Sequence, residues 1–161
     1  MKKSAFWTGL AVLMVALDQI TKVLASAFLK GNGTKTIIPY LIDFYYTTND
    51  GAAFSSFSGQ RVLLIALPVV MIIALLIALY KFNKKGILFT LSIIMIVSGG
   101  IGNLIDRCIF GYVVDFISFS FMNFPIFNVA DIFVTVGAAL FIVYIIFFDD
   151  NKKSDVSDKD E

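Results

Sequence analysis

From Val62 to Tyr80 the chain reads VLLIALPVVMIIALLIALY, without a charged residue, and after the short basic turn Lys81-Phe82-Asn83-Lys84-Lys85 a second apolar block runs from Gly86 to Ile105. At about 1.5 Å per helical residue, each is long enough to cross a hydrocarbon core of about 30 Å. Two further apolar blocks flank them, Phe6 to Leu29 and Ile126 to Phe148. Ala25-Ser26-Ala27 offers a superficial signal-peptide cleavage site, but Asp18 and Lys22 lie inside the first block, where the apolar region of a signal peptide carries no charge. The first block is therefore read as a retained span. Composition agrees: 58% of the 161 residues are hydrophobic and 16% charged, against roughly 45–50% and about 25% in soluble domains. A soluble globular protein is ruled out, and a net charge of +1 argues against nucleic acid as a partner.

The expected fold class is a membrane protein, mainly α, with four transmembrane helices at about 6–29, 62–80, 86–105 and 126–148. Residues 1–148 form a single membrane-embedded domain, and 149–161 a polar, charged tail expected to be disordered. Lys2/Lys3, Lys81/Lys84/Lys85 and Lys152/Lys153 fall at ends that an even number of spans puts on one side, so both termini are expected in the cytoplasm. The connections 30–61 and 106–125 then face outward. Ile37 to Thr48 is rich in β-branched and aromatic residues, and Asn49-Asp50-Gly51 is a turn signal. A small extracytoplasmic β-sheet region, about 36–58, is expected between helices 1 and 2.

The chain has no histidine and one cysteine, Cys108, so intrachain disulfides, Ser-His-Asp triads, Cys-His dyads and HExxH zinc sites are excluded. The only glutamate is Glu161, which leaves Asp18, Asp43, Asp50, Asp106, Asp115 and Asp131 as the acids up to residue 148. An ionisable residue within a span costs roughly 2.5–3.5 kcal/mol on insertion scales and asks for a partner or a purpose. Asp18 and Lys22, four residues apart, are partners on one helix face. Lys22 with Ser26 is a possible Ser-Lys pair, but that lysine already has Asp18. In Ser98-Gly99-Gly100-Ile101-Gly102-Asn103-Leu104-Ile105-Asp106-Arg107, the small residues permit close helix approach, and Asn103, Asp106 and Arg107 share a face. The structural reading is a packing seam finished by a surface salt bridge.

Asp115 stands in the apolar run Val113-Val114-Asp115-Phe116-Ile117, which returns toward the membrane. Asp131 follows in Phe127-Asn128-Val129-Ala130-Asp131, and a helix starting at Ile126 puts it roughly 7 Å below the helix start, one turn below Asn128. Two readings stay open. Asp131 caps a helix N-terminus, a role weakened by a start several residues earlier, or Asp115 and Asp131 meet as a carboxylate dyad that shares one proton and supplies base and acid in one step.

Taken together and in order, Asp18-Gln19-Ile20-Thr21-Lys22, Asn49-Asp50-Gly51-Ala52-Ala53-Phe54, Gly99 through Asn103 to Asp106-Arg107, Val113-Val114-Asp115-Phe116 and Phe127-Asn128-Val129-Ala130-Asp131 resemble the bacterial lipoprotein signal peptidase (signal peptidase II) family of membrane aspartyl peptidases. That resemblance implies Asp115 and Asp131 as catalytic dyad. It implies Asn49, Gly51, Gly99, Asn103, Asp106, Arg107, Val113, Asn128 and Ala130 as substrate-binding or supporting residues, and Asp18 and Lys22 as a pair serving folding. The implied substrate is a prolipoprotein with a diacylglyceryl-modified cysteine, cut just before that cysteine. The implied setting is the bacterial cytoplasmic membrane, multi-pass, with the active site near the outer face. One chain carries every residue this chemistry needs, so a monomer among membrane lipids is the default expectation, with no cofactor or metal. Ser98, Gly99 and Gly100 stand where the family often has two glycines and an alanine.

Two other classes compete. A small transporter or channel would use Asp18, Lys22, Asp106, Arg107 and Asp131 as a charge relay spread through the bilayer depth, with Asp18 near its middle. In a structural assembly factor, Asp115→Asn would be silent. Cys108 is read as a bystander thiol. The tail is given no role, so a chain lacking Asn151 to Glu161 is expected to retain full peptidase activity; a large loss of cleavage would contradict this.

Overall fold

The computed structural model describes residues 2–51, 56–82 and 85–148, with side chains from Ser4 on; the expectations for Ala52-Ala53-Phe54 and for the 149–161 tail lie outside these residues. The elements follow in the order α1 (Lys2–Phe28), β1 (Lys35–Ile38), β2 (Ile42–Asn49), α2 (Arg61–Lys81), α3 (Ile87–Ile109), β3 (Val113–Phe119) and α4 (Val129–Phe147). All four helices are long and apolar enough to cross a membrane. Their outward surfaces carry large apolar side chains such as Val62 at 82% exposure and Phe147 at 73%, the arrangement a lipid solvent favours and water does not.

Helix α3 is the hub, packed against α1, α2 and α4. Glycines set the closeness of that packing. A Cβ on Gly99 would collide with the Ala130 carbonyl oxygen, and one on Gly137 would lie 2.9 Å from Ile96, Met95 and the Ser92 carbonyl oxygen. Small residues at such seams let helix backbones approach without a hydrophobic drive from water. Below the seam, Phe89, Ile93, Val97 and Tyr144 form the apolar core of the bundle.

The sheet is antiparallel in the order β1-β2-β3. Its first two strands come from the 36–58 region as expected, while the third is supplied by the α3–α4 connection. Thr47 pairs with Asp115 and Asn49 with Val113, so the sheet ties the two outer connections together. Ala25 of α1 and Leu29 just after it pack against Phe116 and Ile117, which seats the sheet on the end of the bundle.

Two boundaries at the sheet end of the bundle differ from those expected. Helix α3 runs on past Ile105, and its C-terminus is closed by Gly111 at φ +84, whose N–H bonds to the Arg107 carbonyl. Helix α4 begins at Val129 instead of near Ile126, because Phe127 is still paired with Ile117 through both backbone hydrogen bonds (2.8 and 3.0 Å). Extended pairing and the first helical turn are incompatible at one residue.

The buried Ser98 hydroxyl has no hydrogen-bond partner among the described residues. An unpaired buried donor is costly, so Ser98→Ala is expected to leave thermal stability in detergent unchanged or raised. Gly137→Val, by overpacking the seam, is expected to lose about 1–3 kcal/mol. Equal melting temperatures for Gly137→Val and wild type would contradict the close-packed seam.

Candidate active site

Side chains from α1, α3 and α4 meet those of strands β2 and β3 at one end of the bundle. Lys22 Nζ donates to Asp18 Oδ2 (2.9 Å), Asp106 Oδ2 (3.1 Å) and Asn103 Oδ1 (2.9 Å). An ammonium has three donors, and here all three are used. The expected Asp18–Lys22 pair is thus present but is part of a larger knot. Asp106 is not half of a surface salt bridge with Arg107: it is 2% exposed and also accepts from Gln19 Nε2 (3.0 Å) and Val114 N (3.3 Å). Arg107 instead donates to the Gly51 carbonyl (2.9 Å). Asp106 turns this way because α1 brings a cation, Lys22, against the buried side of α3.

Asp18 does a second job. Its Oδ1 accepts from Ala130 N (2.9 Å), one of the N–H groups that the first turn of α4 leaves without an intrahelical partner. Gly102 makes room for it, since a Cβ there would sit 2.5 Å from Asp18 Oδ2. Asp18 therefore lies level with the start of α4, not among acids dispersed through the bilayer depth as the relay reading required.

Asn128 is the N-cap of α4: its side chain accepts from Asp131 N (3.0 Å), while Asp131 Oδ2 accepts from Asn128 N (3.1 Å), a reciprocal capping box. The later helix start makes Asp131 a capping residue after all. Capping occupies only one of its oxygens. Asp131 Oδ1 accepts from Asn103 Nδ2 (2.8 Å), and the fully buried Asn128 Nδ2 donates both to Asp115 Oδ1 (2.6 Å) and to Asn103 Oδ1 (3.1 Å). Two asparagine amides thus link the two carboxylates in an unbroken chain, Asp115–Asn128–Asn103–Asp131.

The remaining expected residues frame this chain. Asn49 Nδ2 donates to Asp115 Oδ2 (3.3 Å), and the Gly51 N–H closes a turn onto Asn49 Oδ1 (3.0 Å). Val113 and Ala130 are buried beside the carboxylates, and Gly99 lets the Ala130 backbone approach. Ser26 Oγ donates to the Lys22 carbonyl (2.9 Å), and Lys22 Nζ is committed elsewhere, so no Ser-Lys pair forms. Gln19 and Arg61 were not anticipated. Gln19 is a polar residue in an apolar span, which is itself a signal; its amide reaches Asp18, Asp106 and the Gly102 carbonyl. Arg61 binds the last carbonyls of α3 at Arg107 (3.1 Å) and Cys108 (2.7 Å), and only its place at the head of a span hinted at this.

Burial pushes the Asp115 carboxyl up to about 6, and the neighbouring Asp131 carboxylate adds to the shift, while hydrogen bonds from Asn128 and Asn49 oppose it. Two carboxylates, one of them reluctant to ionise, held by amides with Asp115 buried, are equipped to pass a proton between substrate and water.

A family model described as signal peptidase (SPase) II matches residues 10–147. The chain belongs to the signal peptidase II family. It is thus an aspartic-type peptidase and a multi-pass membrane protein. Curated relatives named lipoprotein signal peptidase include those of Halothermothrix orenii, 42% identical over 134 residues (83% of this chain, 90% of that one), and Streptococcus thermophilus, 41% identical over 145 residues (90% and 94%). A solved structure described as a bacterial membrane enzyme superposes with a TM-score of 0.84 at 30% identity, covering 88% of each chain. A second superposes at 0.79, covering 90% of this chain and 95% of that one.

The raised Asp115 value fixes the sign of a pH effect. The proton is held below about 6 and lost above it, so the alkaline limb of the rate profile follows this group if it shares the working proton. Replacing Asn49 by Ala removes a bond that favours the carboxylate and is expected to move that limb to higher pH. A limb unmoved, or moved to lower pH, in the Asn49→Ala profile would contradict the assignment.

Proposed function

We propose that this peptidase removes the signal peptide from diacylglyceryl-modified prolipoproteins by cleavage just before the lipidated cysteine, with Asp115 and Asp131 as catalytic dyad. The observation that carries the proposal is the amide chain through Asn128 and Asn103, which holds two carboxylates together at the end of an apolar bundle. Relatives named lipoprotein signal peptidase supply the substrate class.

One carboxylate takes a proton from water as its oxygen attacks the scissile carbonyl, and the other gives its proton to the carbonyl oxygen. Collapse of the tetrahedral intermediate then breaks the C–N bond, with a proton delivered to the leaving nitrogen. The products are the signal peptide with a new carboxyl terminus and the lipid-bearing cysteine with a free amine. The proton belongs to the pair, and neither residue is assigned as its fixed owner.

The lysines at both ends of the chain and between α2 and α3 favour cytoplasmic termini, which would place the sheet and dyad near the outer face. There a substrate anchored by its acyl chains can enter sideways from the bilayer. Residues 1–148 act as one domain, the tail lies in the cytoplasm, and a single chain holds the full set of residues, so a monomer suffices; the chemistry calls for no cofactor or metal.

The test is cleavage of a diacylglyceryl-modified prolipoprotein by purified protein in detergent. Wild type is expected to cut the lipidated but not the unlipidated substrate, and correctly folded Asp115→Asn and Asp131→Asn to lose about 10²–10⁴-fold or more in rate. Near-normal cleavage by either variant would remove the dyad from the mechanism, and equal cutting of both substrates would remove the lipid requirement.

A further inference from the structure

Lys22 is 3% exposed, and its charge is already matched by two carboxylates, Asp18 and Asp106. Charge balance therefore leaves its third bond, to Asn103 Oδ1, unexplained. The consequence of that bond lies at the other end of the amide. With Oδ1 taken by the ammonium and by Asn128 Nδ2, the Asn103 Nδ2 group is left facing Asp131 Oδ1 at 2.8 Å. The flipped amide would set an NH₂ group against the ammonium and against another NH₂ group, and an oxygen against a carboxylate oxygen. Every one of those contacts is repulsive.

We propose that Lys22 is a positioning residue for the reaction: from α1 it locks the Asn103 amide in the one orientation that presents a donor to Asp131, and it sets the charge the dyad experiences. The proposal rests on the Asp115–Asp131 reading above. It gives Lys22 more than the folding role implied by its pairing with Asp18.

The charged groups around the dyad are Asp18 and Lys22 from α1, and Asp106 and Arg107 from α3. Strand β2 contributes the neutral Asn49, and Asp50 after it accepts from Ser58 Oγ at 2.6 Å. The Lys22 charge pulls Asp115 back toward its ordinary range. Without that charge the dyad would keep its proton to higher pH.

A structural role and a positioning role differ in what a folded variant does. Lys22→Met combined with Asp106→Asn removes one charge of each sign, so the net charge of the knot is kept while Asn103 loses its ammonium. Lys22→Gln is the second variant, since its amide keeps a donor for the carboxylates. Both are assayed as full-length protein in detergent on diacylglyceryl-modified prolipoprotein, per mole of monodisperse, cooperatively melting enzyme, beside Asp115→Asn.

The expected result, in either variant that folds, is a fall in kcat of about 100-fold, the scale of a misplaced catalytic group, with KM within about threefold of wild type; in Lys22→Gln, which removes the cation and leaves both carboxylates, the alkaline limb also moves to higher pH. A folded variant with wild-type kcat and an unmoved limb would overturn the proposal. Failure of both variants to fold would also overturn it, by assigning Lys22 to folding. Activity in Asp115→Asn would instead overturn the dyad reading, whatever the Lys22 variants do.

Discussion

An ammonium group buried away from water costs several kcal/mol unless charge and hydrogen bonds compensate it, and at Lys22 that compensation organises the functional end of the bundle. Its partners come from α1 and α3. Asp18, held on one side by Lys22, reaches with its other oxygen to the first turn of α4. Asp106, held likewise, accepts from the backbone of β3 at Val114. One cation thus fixes, through two carboxylates and an amide, the relative positions of three helices and the strand that carries Asp115.

The second constraint is economy of polar groups in an apolar setting. Asn128 caps α4, donates to Asp115 and donates to Asn103. Asp131 closes the capping box and still offers an oxygen to Asn103. Few polar side chains are available where lipid surrounds the helices, so one residue serves both helix termination and, in the proposed dyad, chemistry. A site built from capping residues inherits the rigidity of the helix end, which is what a proton-transferring pair needs to keep its geometry.

Much of this was legible in the sequence, for a physical reason. Spans such as Val62 to Tyr80 reveal themselves without a partner, because lipid is the partner. Asp115 and Asp131 were visible because a carboxylate in an apolar run is expensive. What was not legible depends on contacts between distant segments. Nothing local shows that Val113–Phe119 becomes the third strand beside β2, or that Phe127 pairs with Ile117 and so delays the start of α4. Nothing local shows that Asp106 turns to Lys22 instead of its neighbour Arg107. The role of Gln19 was hidden because its three acceptors come from two helices.

The central claim is that Asp115 and Asp131 act as a pair holding one proton. The most direct measurement is isotope-edited infrared spectroscopy of the folded wild-type protein, with labelled aspartate, across a pH titration. A shared proton predicts a protonated-carboxyl band equal to one group, fading as pH rises through about 6, and a lower midpoint in Asp131→Asn, where the neighbouring charge is gone. Aspartates fully ionised well below that pH, or a midpoint indifferent to Asp131→Asn, would contradict it.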